Sequence, residues 1–472
     1  MSELNTGTQT AASRLGTEPI GKLLFRFSIP AITGMLANAL YNVVDRIFVG
    51  QGVNEIALGG LSLALPLMTV TLAFAMLFGI GAANMISMRL GQGRKQEAEN
   101  ALDHCFFLLV GTGILMTVLG LFFLEPLLSL LSGQEGNEET LGYARSYMRI
   151  ILYGSVFSLV GFGLSHCTRA QGFPAITMIA MIMGAGINTI LDPIFIFIFK
   201  WGVEGAAWAT VISQAVSAFW ILRFNMGKKP VIRLKLRSFK PSLAIVLQIM
   251  AFGSAQSLLQ FAISSVQLLY NKSMGWYGAS ALGVANGGAI ALSGMNIIIA
   301  IQMLIVMPVF GINQGAQPIL GYNYGAKQFR RVLGTYLRAI AAGTVICTAG
   351  YIVVVLFAEH LVRLFTPDGS AALMAFTPRA MRTITLFLPA AGFQIISTNL
   401  FVVTGRPKIS IFLSLLRQCI VLIPCILIFG RIWGLWGVIA AAPVSDVLSV
   451  LVTGTMIIFE LRKLRGTQEL AL

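Results

Sequence analysis

Long apolar runs alternate with short polar breaks from one end of the chain to the other. Reading each run between its flanking glycines, prolines and charges predicts twelve helices, beginning near positions 21, 57, 101, 144, 174, 204, 243, 281, 332, 379, 408 and 434. An α-helix needs about 20 apolar residues to cross about 30 Å of hydrocarbon, and these runs are of that length. The expected fold class is an all-α polytopic membrane protein with twelve transmembrane helices. Three short matches recur at an almost constant offset: Trp201-Gly-Val-Glu-Gly205 with Trp433-Gly-Leu-Trp-Gly437, Lys95-Gln96 with Lys327-Gln328, and Gly172-Phe-Pro174 with Gly405-Arg-Pro407. Such an offset points to an internal duplication into two six-helix lobes. Six spans per copy, an even number, give the copies the same orientation, as parallel repeats. The expected divisions are a tail over 1–19, an N-lobe over 20–224, a basic linker over 225–241, a C-lobe over 242–460 and a tail over 461–472.

Composition sharpens this reading. Of 472 residues 56% are hydrophobic and 11% charged, against roughly a quarter charged in a soluble domain, which excludes a soluble globular protein. The net charge of +15 is spread as short clusters between apolar runs, as topology determinants are, so no nucleic-acid partner is expected. Counting Lys and Arg by connection gives 23 on the side of both termini, 8 opposite and 2 within spans, which accounts for all 33. The rich side is therefore expected to be cytoplasmic, with the protein in the plasma (inner) membrane. Residues 1–20 lack the apolar stretch of a cleavable signal, so the first span is expected to direct insertion. The five cysteines lack metal-type spacing and read as small core residues.

Charge at mid-membrane costs roughly 2.5 to 3.5 kcal/mol on insertion scales, so ionisable residues within spans are candidates for function. Asp45 in span 1 and Asp192 in span 5 fall at a similar depth below the extracellular face, and Thr210 in span 6 falls there too. Asn188 precedes Asp192 by one helical turn and shares its face. Pro193 removes a helical N–H and frees the carbonyl of Thr189. Carboxylate, amide, hydroxyl and carbonyl oxygens suit Na⁺, or a proton held between the two carboxylates. The plainer readings are a basic partner for Asp45, a packing hydrogen bond for Asp192 and an ordinary small interface residue at Thr210.

Elsewhere, Asn38, Tyr41, Asn42 and Asp45 form a polar stripe on span 1, and Gln256, Gln260 and Gln267 form one on span 7. Both stripes are expected to face a central cleft, with inter-helix hydrogen bonding as the competing reading. Met35 and Met295 are side chains suited to adapting to varied ligands. Arg417 and Asp446 lie at equal depth in spans 11 and 12, either paired with each other or touching substrate. His166 reads as a structural residue near the cytoplasmic end of span 4. No histidine is level with the acids and no Walker-type phosphate loop occurs, so the chain is not expected to be an enzyme.

Over about residues 20–460 the sequence resembles the multidrug and toxic compound extrusion (MATE) family. Three stretches carry the resemblance: Tyr41-Asn-Val-Val-Asp-Arg-Ile-Phe-Val-Gly50, Asn188-Thr-Ile-Leu-Asp-Pro193 and Gly202-Val-Glu-Gly-Ala-Ala-Trp-Ala-Thr210. The resemblance implies V-shaped lobes that open alternately to either side, exporting amphipathic, often cationic compounds against inward H⁺ or Na⁺, without a cofactor. By position and type, Asp45, Asn188, Asp192 and Thr210 match the cation site of the prokaryotic branch whose acids lie in the N-lobe. Some members of that branch also carry amides in the fourth span, where this chain has Phe162 and Ser165. The expected partners are small-molecule drugs or toxic organic cations and the lipid bilayer, with the carrier working as a monomer. A lipid-linked precursor flippase, or an exporter of an endogenous metabolite, is the alternative on the same fold.

Overall fold

The computed structural model describes residues 11–53, 55–132, 138–236, 239–284, 286–366 and 370–469. The side chains of Asn42 and Arg46, most of the 1–19 tail and the end of the 461–472 tail lie outside the described residues. The chain folds into α1 (Arg14–Thr17), α2 (Ile20–Gly52), α3 (Glu55–Gly91), α4 (Lys95–Phe122), α5 (Leu124–Ser132), α6 (Glu138–Ala170) and α7 (Pro174–Pro193). These are followed by α8 (Gly202–Met226), α9 (Leu243–Ala281), α10 (Gly287–Gly325), α11 (Phe329–Phe365), α12 (Ala371–Ile384), α13 (Leu388–Val403), α14 (Pro407–Leu415) and α15 (Ile423–Glu469). Wider π-helical turns follow α7 (Ile194–Ile198) and α14 (Leu416–Leu422). Among the described residues there is no strand, as a segment must satisfy its own backbone in hydrocarbon.

Among the described residues ten helical stretches are long and apolar enough to cross a membrane, and the pair α12 and α13, bent by 45°, makes an eleventh. Pro389, in the first turn of α13, accounts for that break because it cannot continue the hydrogen-bond ladder of α12. The stretch Pro407–Lys463 has 57 residues, roughly 85 Å of helix at 1.5 Å per residue, far more than one crossing needs. It breaks at Gly434, whose φ of 59° and ψ of −136° only glycine adopts without strain. Division at Gly434 gives twelve crossings, with the last beginning at the expected residue. Spans 3 and 4 start earlier than expected, at Lys95 and Glu138. Acidic residues in their first turns (Glu97, Glu138 and Glu139) extend the helix past the apolar run because they complement its positive N-terminal end.

The chain divides into two compact units. The first contains Met1–Ser257 and Gln317–Gln328, and the second Leu258–Ala316 and Phe329–Leu472. In the first unit, α3 and α6 run through the centre. Their small residues allow close approach, and Ile86, Leu102, Leu109, Leu159 and Leu164 fill the core. The last turns of α10 join this unit through a reciprocal crossing. A methyl group on Gly91 would collide with the carbonyl of Tyr322, and one on Gly325 with the carbonyl of Met88. Residue Leu15 of α1 is fully buried beside Leu23, Phe27 and Ile319, and the Asn323 amide donates to its carbonyl at 3.0 Å.

In the second unit, Tyr270, Met274, Met295, Phe376, Met381, Val438 and Ile439 form the core. A hydroxyl pair, Tyr336 with Ser397 at 2.7 Å, ties α11 to α13.

Replacing Gly434 with alanine should destabilise the protein by about 1 to 3 kcal/mol, the cost of a side chain in this backbone region. Gly454 lies mid-helix with open space around it, and its replacement with alanine should be neutral or stabilising by up to about 1 kcal/mol. Thermal unfolding of the purified protein in detergent checks both.

Candidate functional site

Four helices of the first unit bring polar side chains to one level near the ends remote from the termini. Asp45 lies 7 residues before the end of α2, and Asp192 lies 6 before the end of the π turn that continues α7. Thr210 lies 8 residues into α8, so the three fall within about 3 Å in depth, at 1.5 Å per residue. All are buried: Asp192 is 0% exposed, Asn188 1%, Thr210 4% and Asp45 8%. The Asn188 amide donates to Asp192 Oδ1 at 3.3 Å and to Thr210 Oγ1 at 3.4 Å, closing a bridge between α7 and α8. The carboxyl groups of Asp192 and Asp45 lie within hydrogen-bonding reach of each other. The carbonyl oxygen of Asn188 is buried and has no donor among the described residues.

Local sequence explains this convergence. Gly34 and Gly52 on α2 abut Met181 on α7 and Ile196 and Phe197 in the π turn, so the two helices approach closely along their length. Pro193 stands where the α-helix widens into the π turn Ile194–Ile198, directly after Asp192. Gly205 lets the start of α8 press against Phe195. Val49, Leu61, Ile150, Ile196, Val203, Ala206, Ala207 and Val211 form an apolar wall around the cluster.

Tyr147 on α6 was not anticipated from the sequence. It is 3% exposed, its hydroxyl lies near that of Thr210, and Asp45, Asp192 and Tyr41 lie close enough to act on it electrostatically. Tyr147 lies 9 residues into α6 but only three past the expected start of span 4 near 144, so counting from the sequence does not bring it level with Thr210. The two span 4 positions compared with the family lie elsewhere: Phe162 packs against His166, and Ser165 donates to its own helix at Gly161. His166 accepts from Arg169 at 3.0 Å and is buried, a structural role.

The remaining expected residues are spread out. Asn38 is exposed, while Met35, Tyr41 and Gln256 are half-buried, all in the first unit. Met295 is 4% exposed, within the core of the second unit. Arg417 and Asp446 pair with each other, Nε to Oδ1 at 2.7 Å. Ser445 braces the pair by donating to the Arg417 carbonyl at 2.7 Å.

Tyr147→Phe should destabilise the protein by about 1 kcal/mol, the net value of one hydrogen bond, and Thr210→Val by more, because it also takes away the acceptor of the Asn188 amide. Because both variants remove the Tyr147–Thr210 contact, the double variant should lose less than the sum of the two. Unfolding midpoints of the four proteins in detergent measure the coupling.

Known proteins frame this geometry. The multidrug export protein MepA of Staphylococcus aureus is 28% identical over 447 residues, covering 94% of each chain. A crystal structure of MATE in a bent conformation superposes with a TM-score of 0.88 at 26% identity, covering 98% of this chain and 99% of that one. An outward-facing multidrug resistance MATE family transporter of the MOP superfamily gives 0.89 at 26% identity, covering 97% and 99%. The sequence model of the MatE family matches residues 30–194 and 255–428, both halves of the repeat. The protein is thus a multi-pass membrane transporter, not an enzyme, and it belongs to the MatE family.

Proposed function

We propose that this protein is a secondary active multidrug efflux antiporter, exporting amphipathic, often cationic small molecules by alternating access in exchange for H⁺ or Na⁺. The reading of the cargo draws on relatives named as multidrug exporters. One observation carries the reading of the coupling site: Asp45 and Asp192 meet inside an apolar wall with the Asn188 carbonyl oxygen and the Thr210 and Tyr147 hydroxyls beside them. Two carboxylates in contact away from water repel each other unless they share a positive charge. A proton bound between them, or a Na⁺ held by the oxygens, supplies it, and no cofactor is called for.

Asn188 bridges Asp192 to Thr210, so occupation of the site is felt on both α7 and α8. A ligand shifts a conformational equilibrium only by binding one state better, and the state whose oxygens close on the cation is the one favoured. One charge moving down 100 mV releases about 2.3 kcal/mol, close to fiftyfold in a concentration ratio, ample for export. In this scheme Met35, Asn38, Tyr41 and Gln256 line the cargo cavity. The functional lobes are residues 20–224 and 242–460, joined by the linker 225–241. The carrier works as a monomer in the inner membrane with both termini cytoplasmic.

Dye uptake into everted membrane vesicles, whose cytoplasmic face is outside, tests the scheme when a pH gradient and a Na⁺ gradient are imposed separately. One gradient should drive uptake by the native protein, while Asp192→Asn and Asp45→Asn should be expressed and folded yet fall to background. Full uptake by either variant would remove that acid from the mechanism.

A further inference from the structure

The inter-lobe linker is laid down as a strap on the first unit, and its own sequence explains how. From Pro230 to Leu234 alternate residues turn inward: Pro230, Ile232 and Leu234 are buried, while Lys229, Arg233 and Lys235 are exposed. That is the period of an extended segment with one apolar face. The backbone is pinned at four points. Ile232 N–H donates to Gln171 Oε1 at 3.2 Å, Leu234 N–H to the Asn225 carbonyl at 3.1 Å, Lys235 N–H to Asp103 Oδ1 at 2.8 Å and Ser242 N–H to His104 Nε2 at 2.9 Å. Phe239 stacks on His104 and Phe107, with centroids 4.9 and 4.0 Å apart. Gln171, Asn225, Asp103 and His104 are all nearly fully buried, so the strap rests on a built polar seat.

Its outward face is a row of cations. Arg223, Lys228, Lys229, Arg233 and Lys240 are exposed. Among the described residues only Lys235 of the strap meets a carboxylate, Glu99 at 2.5 Å. The strap joins the end of one membrane-spanning helix, Met226, to the start of the next, Leu243, which sets it at the depth of lipid headgroups. Exposed apolar side chains are interleaved with the cations: Met226 is 51% exposed, Leu236 40% and Leu243 73%. Cations beside exposed leucines at a membrane boundary are what an anionic lipid surface attracts and holds.

We propose that the strap over residues 227–236 and 239–242 is a docking surface for the headgroups of anionic phospholipids, with Lys228, Lys229, Arg233 and Lys240 binding their phosphates. A loose loop of the same charge would set topology and no more. Here the inward hydrogen bonds fix the row in advance, so little conformational entropy is lost when lipid binds. The strap also touches α4, the turn after α6 and α8 through Asp103, Gln171 and Asn225, so bound lipid stabilises the first unit as a whole.

Thermal unfolding of the full-length protein in neutral detergent, titrated with phosphatidylglycerol, phosphatidylcholine or inorganic phosphate, tests this independently of transport. Phosphatidylglycerol should raise the unfolding temperature saturably, and the other two should not. The variant Lys228→Gln/Lys229→Gln/Arg233→Gln/Lys240→Gln should need about tenfold or more phosphatidylglycerol for the same shift. The swap Lys228→Arg/Lys229→Arg/Arg233→Lys/Lys240→Arg should behave as native. On the native protein alone, raising NaCl to about 0.5 M should abolish most of the shift by screening. Equal stabilisation by phosphatidylcholine, a shift indifferent to salt, or a native response from the glutamine variant would each overturn the proposal, and a phosphate response would reassign the row to free anions.

Discussion

Asp45 and Asp192 touch within a wall of valine, alanine, leucine and isoleucine, where like charges repel strongly and water is not at hand to screen them. The local architecture of the first unit follows from holding these two groups together. Glycines at 34 and 52 let α2 and α7 close up, Pro193 and the π turn re-aim the end of α7, and Gly205 admits the start of α8. Asn188 then ties α7 to α8 through two bonds from one amide.

The second half of the repeat handles buried charge in the opposite way. Arg417 and Asp446 neutralise each other across α15 and the π turn after α14, with Ser445 fixing the arginine's backbone. A compensated pair of this kind is stable by itself and has no need of an added ion, whereas an acid pair does. Duplication has therefore kept the helical scaffold while the buried chemistry has diverged. The coupling chemistry proposed for this transporter thus belongs to the first unit alone.

Much of the site was legible because helical depth is arithmetic. Counting residues from the span ends brings Asp45, Asp192 and Thr210 level, and the one-turn spacing puts Asn188 beside Asp192. Tyr147 escapes that counting, because Arg145, Ser146 and Arg149 around it mask the true start of the helix at Glu138. The spans were legible for the reason that hydrocarbon admits little besides apolar helix, although their ends were not, since Lys95 and Glu138 continue helices beyond the bilayer. Residues chosen for chemical type alone fared differently: Met295 resembles an adaptable cavity residue in sequence, yet it packs in a core.

The amino-acid order by itself determined that the chain is a helical membrane protein built from a duplicated half, with three oxygen-bearing residues at one depth and Asn188 one turn from Asp192. Those properties depend on hydrophobic length and periodicity, which are local. The tertiary structure decided which way each side chain turns about its helix axis, and hence that the two carboxyl groups meet, that Tyr147 joins them, that Arg417 finds Asp446, and that a basic linker is a pinned strap. Each of these is a contact between segments distant in the chain, and rotation about a helix axis is set by the packing of neighbouring helices rather than by the spacing of residues along one of them.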